Sequence, residues 1–121
     1  MARMEKKSLD SPDETLTFDK GKVEIAKVGD TSIGRAYFEP GWSWEKCVKP
    51  IAKTDSCQLP HTQYVISGRL RVAMDDGTED EFSRGDILYV PPGHNAWVVG
   101  NEPFESVDFS GFKDYIKSGS S

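Results

Sequence analysis

The stretch Gly85-Asp86-Ile87-Leu88-Tyr89-Val90-Pro91-Pro92-Gly93 decides how this sequence folds. Gly85-Asp86 has the chemistry of a tight turn, the glycine supplying a positive φ and the aspartate a local hydrogen bond. The apolar and aromatic residues Ile87 to Val90 then read as a strand, and Pro91-Pro92 end it because neither proline can donate to a ladder. Just upstream, Leu70, Val72 and Met74 alternate with Arg69, Arg71 and Ala73, the pattern of a half-buried strand. Asp75-Asp76-Gly77-Thr78 supplies a turn after it, so residues 69–82 read as a hairpin. Similar short runs at 16–18, 23–28, 32–38, 47–51, 62–67, 87–90, 96–99 and 104–109 complete the strand candidates. Gly, Pro and Asp punctuate them at the roughly 8–12-residue spacing of all-β sandwiches and barrels. No amphipathic helix is expected, and Asp114-Tyr115-Ile116 would close at most one helical turn.

The ends differ from this middle. Residues 1–14 are charged and poor in core-forming side chains, and 113–121 are Ser-rich. Both read as tails around a barrel at 15–112. With 121 residues the chain has room for one domain with its own core. A net charge of −5, with no basic cluster beyond Lys6-Lys7, argues against a nucleic-acid face. No apolar run approaches the ~18 residues of a membrane span, and no signal peptide opens the chain. A soluble, cytoplasmic protein without nucleic-acid or membrane partners is therefore expected. Cys47 and Cys57 are too few for a disulfide framework and read as reduced thiols.

The spacing of these motifs resembles the cupin superfamily, small single-domain jelly-roll β-barrels. Residues 85–93 match the second cupin signature, a Gly, five residues, then Pro-x-Gly. His61-Thr62-Gln63-Tyr64-Val65-Ile66-Ser67-Gly68 aligns with the end of the first, and the hairpin between them has the length such barrels use. The resemblance implies a metal site of His-x-His, a Glu and a second-signature His. Carried across by position, those ligands fall on Asp55, Cys57, His61 and Ala96, so none of the family's residue types is retained. Ala96 has no donor atom at all.

Two readings of these residues compete. In the first, the barrel binds a small organic molecule beside a degenerate metal site, with Cys57 a small buried hydrophobe and His61 hydrogen-bonded in the core. In the second, Asp55, Cys57 and His61 hold one divalent Zn, Fe, Ni or Mn ion. Carboxylate, thiolate and imidazole are all competent ligands. His94 would reach in as a fourth if its strand phase matches that of position 96. A cupin enzyme of isomerase, lyase or dioxygenase type would follow, with its substrate in the space left by Ala96. A sensor module is a third class. Trp42 and Trp44 could wall a ligand pocket or simply pack, Gln63 could anchor a ligand's polar group, and Trp97 should point away from the Ala96 face. Cys57 and His61 could also pair as thiolate and imidazole, without the sequence context of a known nucleophile. The acidic residues Asp75, Asp76, Glu79, Asp80, Glu81 and Asp86 lack calcium-loop spacing and read as a solvated hairpin. Open strand edges point to a homodimer.

Overall fold

The computed structural model describes residues 3–54, 56–58 and 60–109, and the expected all-β jelly roll is what it contains. In chain order the elements are β1 (Glu14–Phe18), β2 (Gly21–Val28), β3 (Thr31–Phe38), α1 (Trp44–Cys47), α2 (Lys49–Ala52), β4 (His61–Ser67), β5 (Arg69–Met74), β6 (Glu79–Ser83), β7 (Ile87–Val90), β8 (His94–Val98) and β9 (Phe104–Asp108). They form two antiparallel sheets, ordered β1-β2-β3-β9-β4-β7 and β6-β5-β8. The candidate turn at 114–116 lies outside the described residues.

The hairpin from the sequence is β5 and β6, with Leu70 opposite Phe82 and Val72 opposite Asp80. Gly68, which joins β4 to β5, has φ +80°, and a Cβ there would lie 2.3 Å from the Pro103 carbonyl oxygen. Only glycine fits that crossing of two backbones.

One strand candidate is wrong. Residues 47–51 lie in the short helices α1 and α2. The β-branched Val48 and Ile51 favour a strand, but capping chemistry overrides them. The Ser43 hydroxyl accepts the Lys46 N–H at 3.2 Å and starts α1. Pro50 sits in the first turn of α2, where a missing N–H is harmless.

A second difference moves a functional residue. The strand expected at 96–99 begins two residues earlier, because His94 pairs with Met74 and Ala96 with Val72 on β5. His94, Ala96 and Val98 are therefore buried on one face, while Asn95 and Trp97 turn away from it, as expected for Trp97.

The core fills the space between the sheets with Val23, Ile25, Val65, Leu70, Val72, Leu88, Val90 and Phe104. Trp42 extends it, lying flat on Phe38 with ring centroids 3.8 Å apart and an interplanar angle of 2°. The outer face of the β4–β7 edge is the reverse: Tyr64, Ile66, Ile87 and Tyr89 are exposed, Ile87 at 72%. Cys47 and Cys57 are both buried and are not joined by a disulfide. No helix among the described residues is long and apolar enough to cross a membrane.

Candidate metal centre

Three elements converge at one end of the core. Cys57 precedes β4 and forms an isolated antiparallel bridge with His94: Cys57 N–H donates to the His94 carbonyl at 2.7 Å, and His94 N–H donates back at 3.2 Å. Paired residues in such a bridge project to the same side, which brings the thiol to the imidazole. His61, the first residue of β4, has its inward phase set by the alternation His61, Gln63, Val65. The ligand atoms of Cys57, His61 and His94 all lie within 4.8 Å of one another, and all three residues are buried.

The outer nitrogens of both imidazoles are already committed. His94 Nδ1–H donates to the Pro91 carbonyl at 2.8 Å, and His61 Nδ1–H donates to Asp108 Oδ2 at 2.8 Å. Each ring is thereby held in the tautomer that leaves Nε2 as a lone-pair donor, which is how metal-binding histidines are ordinarily oriented. His61 Nε2 lies 3.6 Å from Cys57 Sγ. A tetrahedral zinc with bonds of about 2.3 Å to sulfur and about 2.05 Å to nitrogen spans an S···N edge of about 3.6 Å. The residues present therefore fit a metal ion.

Asp108 was not legible as a site residue, yet it organises the cluster. Fully buried at the end of β9, its Oδ2 accepts from His61 and also from Gln63 Nε2 at 2.8 Å. Gln63 Oε1 in turn accepts the Ser106 hydroxyl at 3.0 Å. The signal for it is strand phase: Phe104, Ser106 and Asp108 all point inward, and a buried carboxylate requires a partner.

The charges follow this geometry. Burial alone would push the Cys57 thiol up, but hydrogen bonds from His61 and His94 and their charge outweigh it and bring its pKa to about 6. Burial would likewise lower the His61 imidazole, but the hydrogen bonds to Asp108 and Cys57 raise it to about 9. Each of the two groups thus favours the charged form of the other.

Beside the cluster is a cavity of about 30 Å³. Its wall holds His61, Gln63 and His94 with the apolar side chains of Phe38, Leu70, Val72, Leu88, Val90 and Ala96. Trp42 and Trp44 complete it, so both candidate aromatics sit at the pocket. Cys57 lies outside the wall. Both indole Nε1–H groups are buried without a hydrogen-bond partner among the described residues. Leaving such a donor unmet costs about 1–3 kcal/mol each. Of the sequence candidates, the structure brings together Cys57, His61 and His94, and places Trp42, Trp44, Gln63 and Ala96 around the adjoining space. Gln63 does so with its amide already engaged on both sides, and Asp55 lies outside the described residues.

Residues 42–107, more than half the chain, match the model of the EutQ-like cupin domain family. No curated protein matches the sequence. Among solved structures, the chain is similar to the oxalate decarboxylase of Lactobacillus farciminis (formate complex) at 19% identity and TM-score 0.56, covering 78% of this chain and 30% of that one. An oxalate decarboxylase mutant from Bacillus subtilis matches at 24% identity and TM-score 0.56, over 83% of this chain and 27% of that one. A protein of unknown function from Acinetobacter sp. ADP1 matches at 18% identity and TM-score 0.54, over 82% of this chain and 96% of that one. The chain spans less than a third of either decarboxylase. At these identities the likeness is one of fold.

Proposed function

We propose that this chain, which belongs to the EutQ-like cupin domain family, holds one divalent transition metal ion on Cys57, His61 and His94 and binds a small organic molecule next to it. The carrying observation is the convergence of three donor atoms whose outer partners, Asp108 and the Pro91 carbonyl, are already in place. A thiolate with two imidazoles suits Zn²⁺, Ni²⁺ or Fe²⁺ better than Mn²⁺, which prefers oxygen ligands. When bound, such an ion supplies a Lewis-acidic centre and lowers the pKa of a bound water. The chain's own residues do the rest. Asp108 fixes the His61 ring, the Cys57–His94 bridge fixes the thiolate, and the apolar wall excludes water. Ala96, at the position where the family implies a fourth ligand, leaves room for an exogenous one.

We favour this reading over a metal-free barrel and keep the small-molecule pocket; turnover of the bound molecule, as in an isomerase, lyase or dioxygenase, is a further step of the same proposal. A catalytic thiol is the weaker reading. Cys57 is 2% exposed and outside the cavity wall, so an electrophile in the cavity has no open approach to its sulfur.

The test is elemental analysis of purified protein, before and after chelation and reloading, on wild type and on Cys57→Ala, His61→Ala and His94→Ala. One ion per chain in wild type, lost in each variant, is expected. Absence of Zn²⁺, Ni²⁺ or Fe²⁺ uptake by folded wild type would overturn the proposal. For assembly, we read the exposed Ile87 and Tyr89 on the edge strand β7 as the face that meets a second copy of the chain. Light scattering should give a dimer that Ile87→Lys converts to monomer, and a monomeric wild type would refute this.

A further inference from the structure

The two unpartnered indole donors carry an inference about the ligand. Trp42 and Trp44 are 2% and 3% exposed, both wall the cavity beside His61 and His94, and neither Nε1–H has an acceptor among the described residues. The parallel stack of Phe38 on Trp42 covers a ring face and cannot accept a proton that lies in the indole plane. Buried donors of this kind are met in nearly all folded proteins, by protein, water or ligand.

The cavity's acceptors are spoken for. Gln63 Oε1 takes the Ser106 hydroxyl, His61 Nε2 faces Cys57 Sγ, and the His94 ring, with Nδ1 on the Pro91 carbonyl, is hydrogen-bonded to the same thiol. A ligand head carrying N–H or O–H donors would therefore strand them against an apolar wall, whereas a head that only accepts would satisfy the indoles. Size narrows this further. A space of about 30 Å³ holds roughly two waters, so it admits a small head group and no large one.

Resting on the pocket reading above, we propose that the site takes a small carboxylate, one oxygen directed to the Cys57/His61/His94 cluster and the other accepting from the indole N–H of Trp42, Trp44 or both. A carboxylate has two acceptor oxygens, no donor when ionised, and three heavy atoms in its head. The aromatic pair then acts through its N–H edges, where the sequence suggested stacking walls.

Acetate is the probe, with acetamide and ethanol as comparisons. Proton–nitrogen correlation spectra of zinc-loaded protein should show the Trp42 and Trp44 indole signals moving downfield on acetate addition. Trp97, which turns away from the cavity face, serves as an internal control and should hold still. Acetate should bind at least tenfold more tightly than acetamide or ethanol. Trp42→Phe or Trp44→Phe should lower acetate affinity about tenfold or more, the range for a hydrogen bond to a charged group, with zinc stoichiometry unchanged. Indole signals unmoved by acetate, or equal affinity for acetate and acetamide, would overturn the inference, since a pocket that only holds water behaves that way. The same titration on metal-free protein separates the two proposals. Indole shifts in a chain that takes up no metal would uphold the carboxylate and sink the metal site. Metal uptake without indole shifts would do the reverse.

Discussion

Replacing Asp108 by Asn tests whether the carboxylate tunes the metal site or merely fills the core. The Asp108 oxygen that matters is Oδ2, which accepts from both His61 Nδ1–H and Gln63 Nε2–H at 2.8 Å. An asparagine carbonyl in the same place keeps both bonds and removes the charge. A hydrogen bond to a charged group contributes about 1.5–3 kcal/mol and a neutral one about 0.5–1.5. The change at His61 is therefore about 1–1.5 kcal/mol, or roughly tenfold in affinity. That sits at the lower end of the roughly 10–100-fold expected when a carboxylate behind a metal-binding histidine is lost. Asp108→Ala is the contrasting variant, because it orphans two buried donors at about 1–3 kcal/mol each and should lower the urea midpoint of the metal-free protein strongly. Metal affinity is read by competition against a chromophoric chelator at fixed pH, with circular dichroism to establish that each variant is folded. Ser106→Ala is the control, since it removes a partner of Gln63 without touching His61. Asp108→Asn that is folded and binds zinc as tightly as wild type would refute the reasoning and reduce Asp108 to a core pairing.

Ala96→His restores a donor on the cavity face beside His94; it should raise zinc affinity about tenfold or more and abolish acetate binding, both measured by calorimetry. In metal-free protein the ultraviolet thiolate absorbance should titrate with a midpoint near 6, and His61→Ala should move it upward because burial then acts with one fewer opposing partner. The stability signs oppose one another. Cys57, with its folded pKa lowered from 9.0 to about 6, contributes stability that is full above 9 and lost as pH falls through about 6. His61, raised from 6.5 to about 9, contributes stability that is full below 6.5 and lost as pH rises through about 9. The urea midpoint of metal-free protein should therefore be nearly flat between about pH 6.5 and 9, and a steep slope there would show that the two shifts do not offset one another. Gly68→Ala forces a Cβ to 2.3 Å from the Pro103 oxygen at φ +80°; a loss of about 2 kcal/mol or more by urea denaturation is expected, and an unchanged midpoint would contradict the packing.

The fold was legible because turn chemistry and period-2 alternation agree along most of the chain, from Gly21–Val28 through the Arg69–Met74 hairpin arm to Ile87–Val90. They disagree at 47–51, where β-branched residues compete with the Ser43 cap and Pro50, and there the local hydrogen bonds win. The site was half legible. Cys57 and His61 could be placed because two signatures fix their positions, and His94 depended on the phase of a strand that begins immediately after Pro91-Pro92-Gly93. Asp108 was out of reach for a different reason. Its importance arises only when β9 pairs with β4, setting Asp108 opposite Gln63 forty-five residues away, and no local pattern encodes that register.

The phase of β8 explains how a barrel with none of the expected ligands in place can still assemble a donor set. On β8 the donor stands at position 94, two residues along the same inward face from position 96, where the family resemblance implies one, so it is in phase with the pocket. There it lies opposite Cys57, whose backbone it pairs with, and within ring contact of His61 at 5.3 Å between centroids. A donor moved by one residue would have faced away from the core. Position 96 carries only a methyl group, and Ala96 borders the cavity that Trp42 and Trp44 close from the other elements. An imidazole at 96 would fill that space, so a donor at position 94 both completes the Cys57/His61/His94 cluster and leaves the adjoining cavity open.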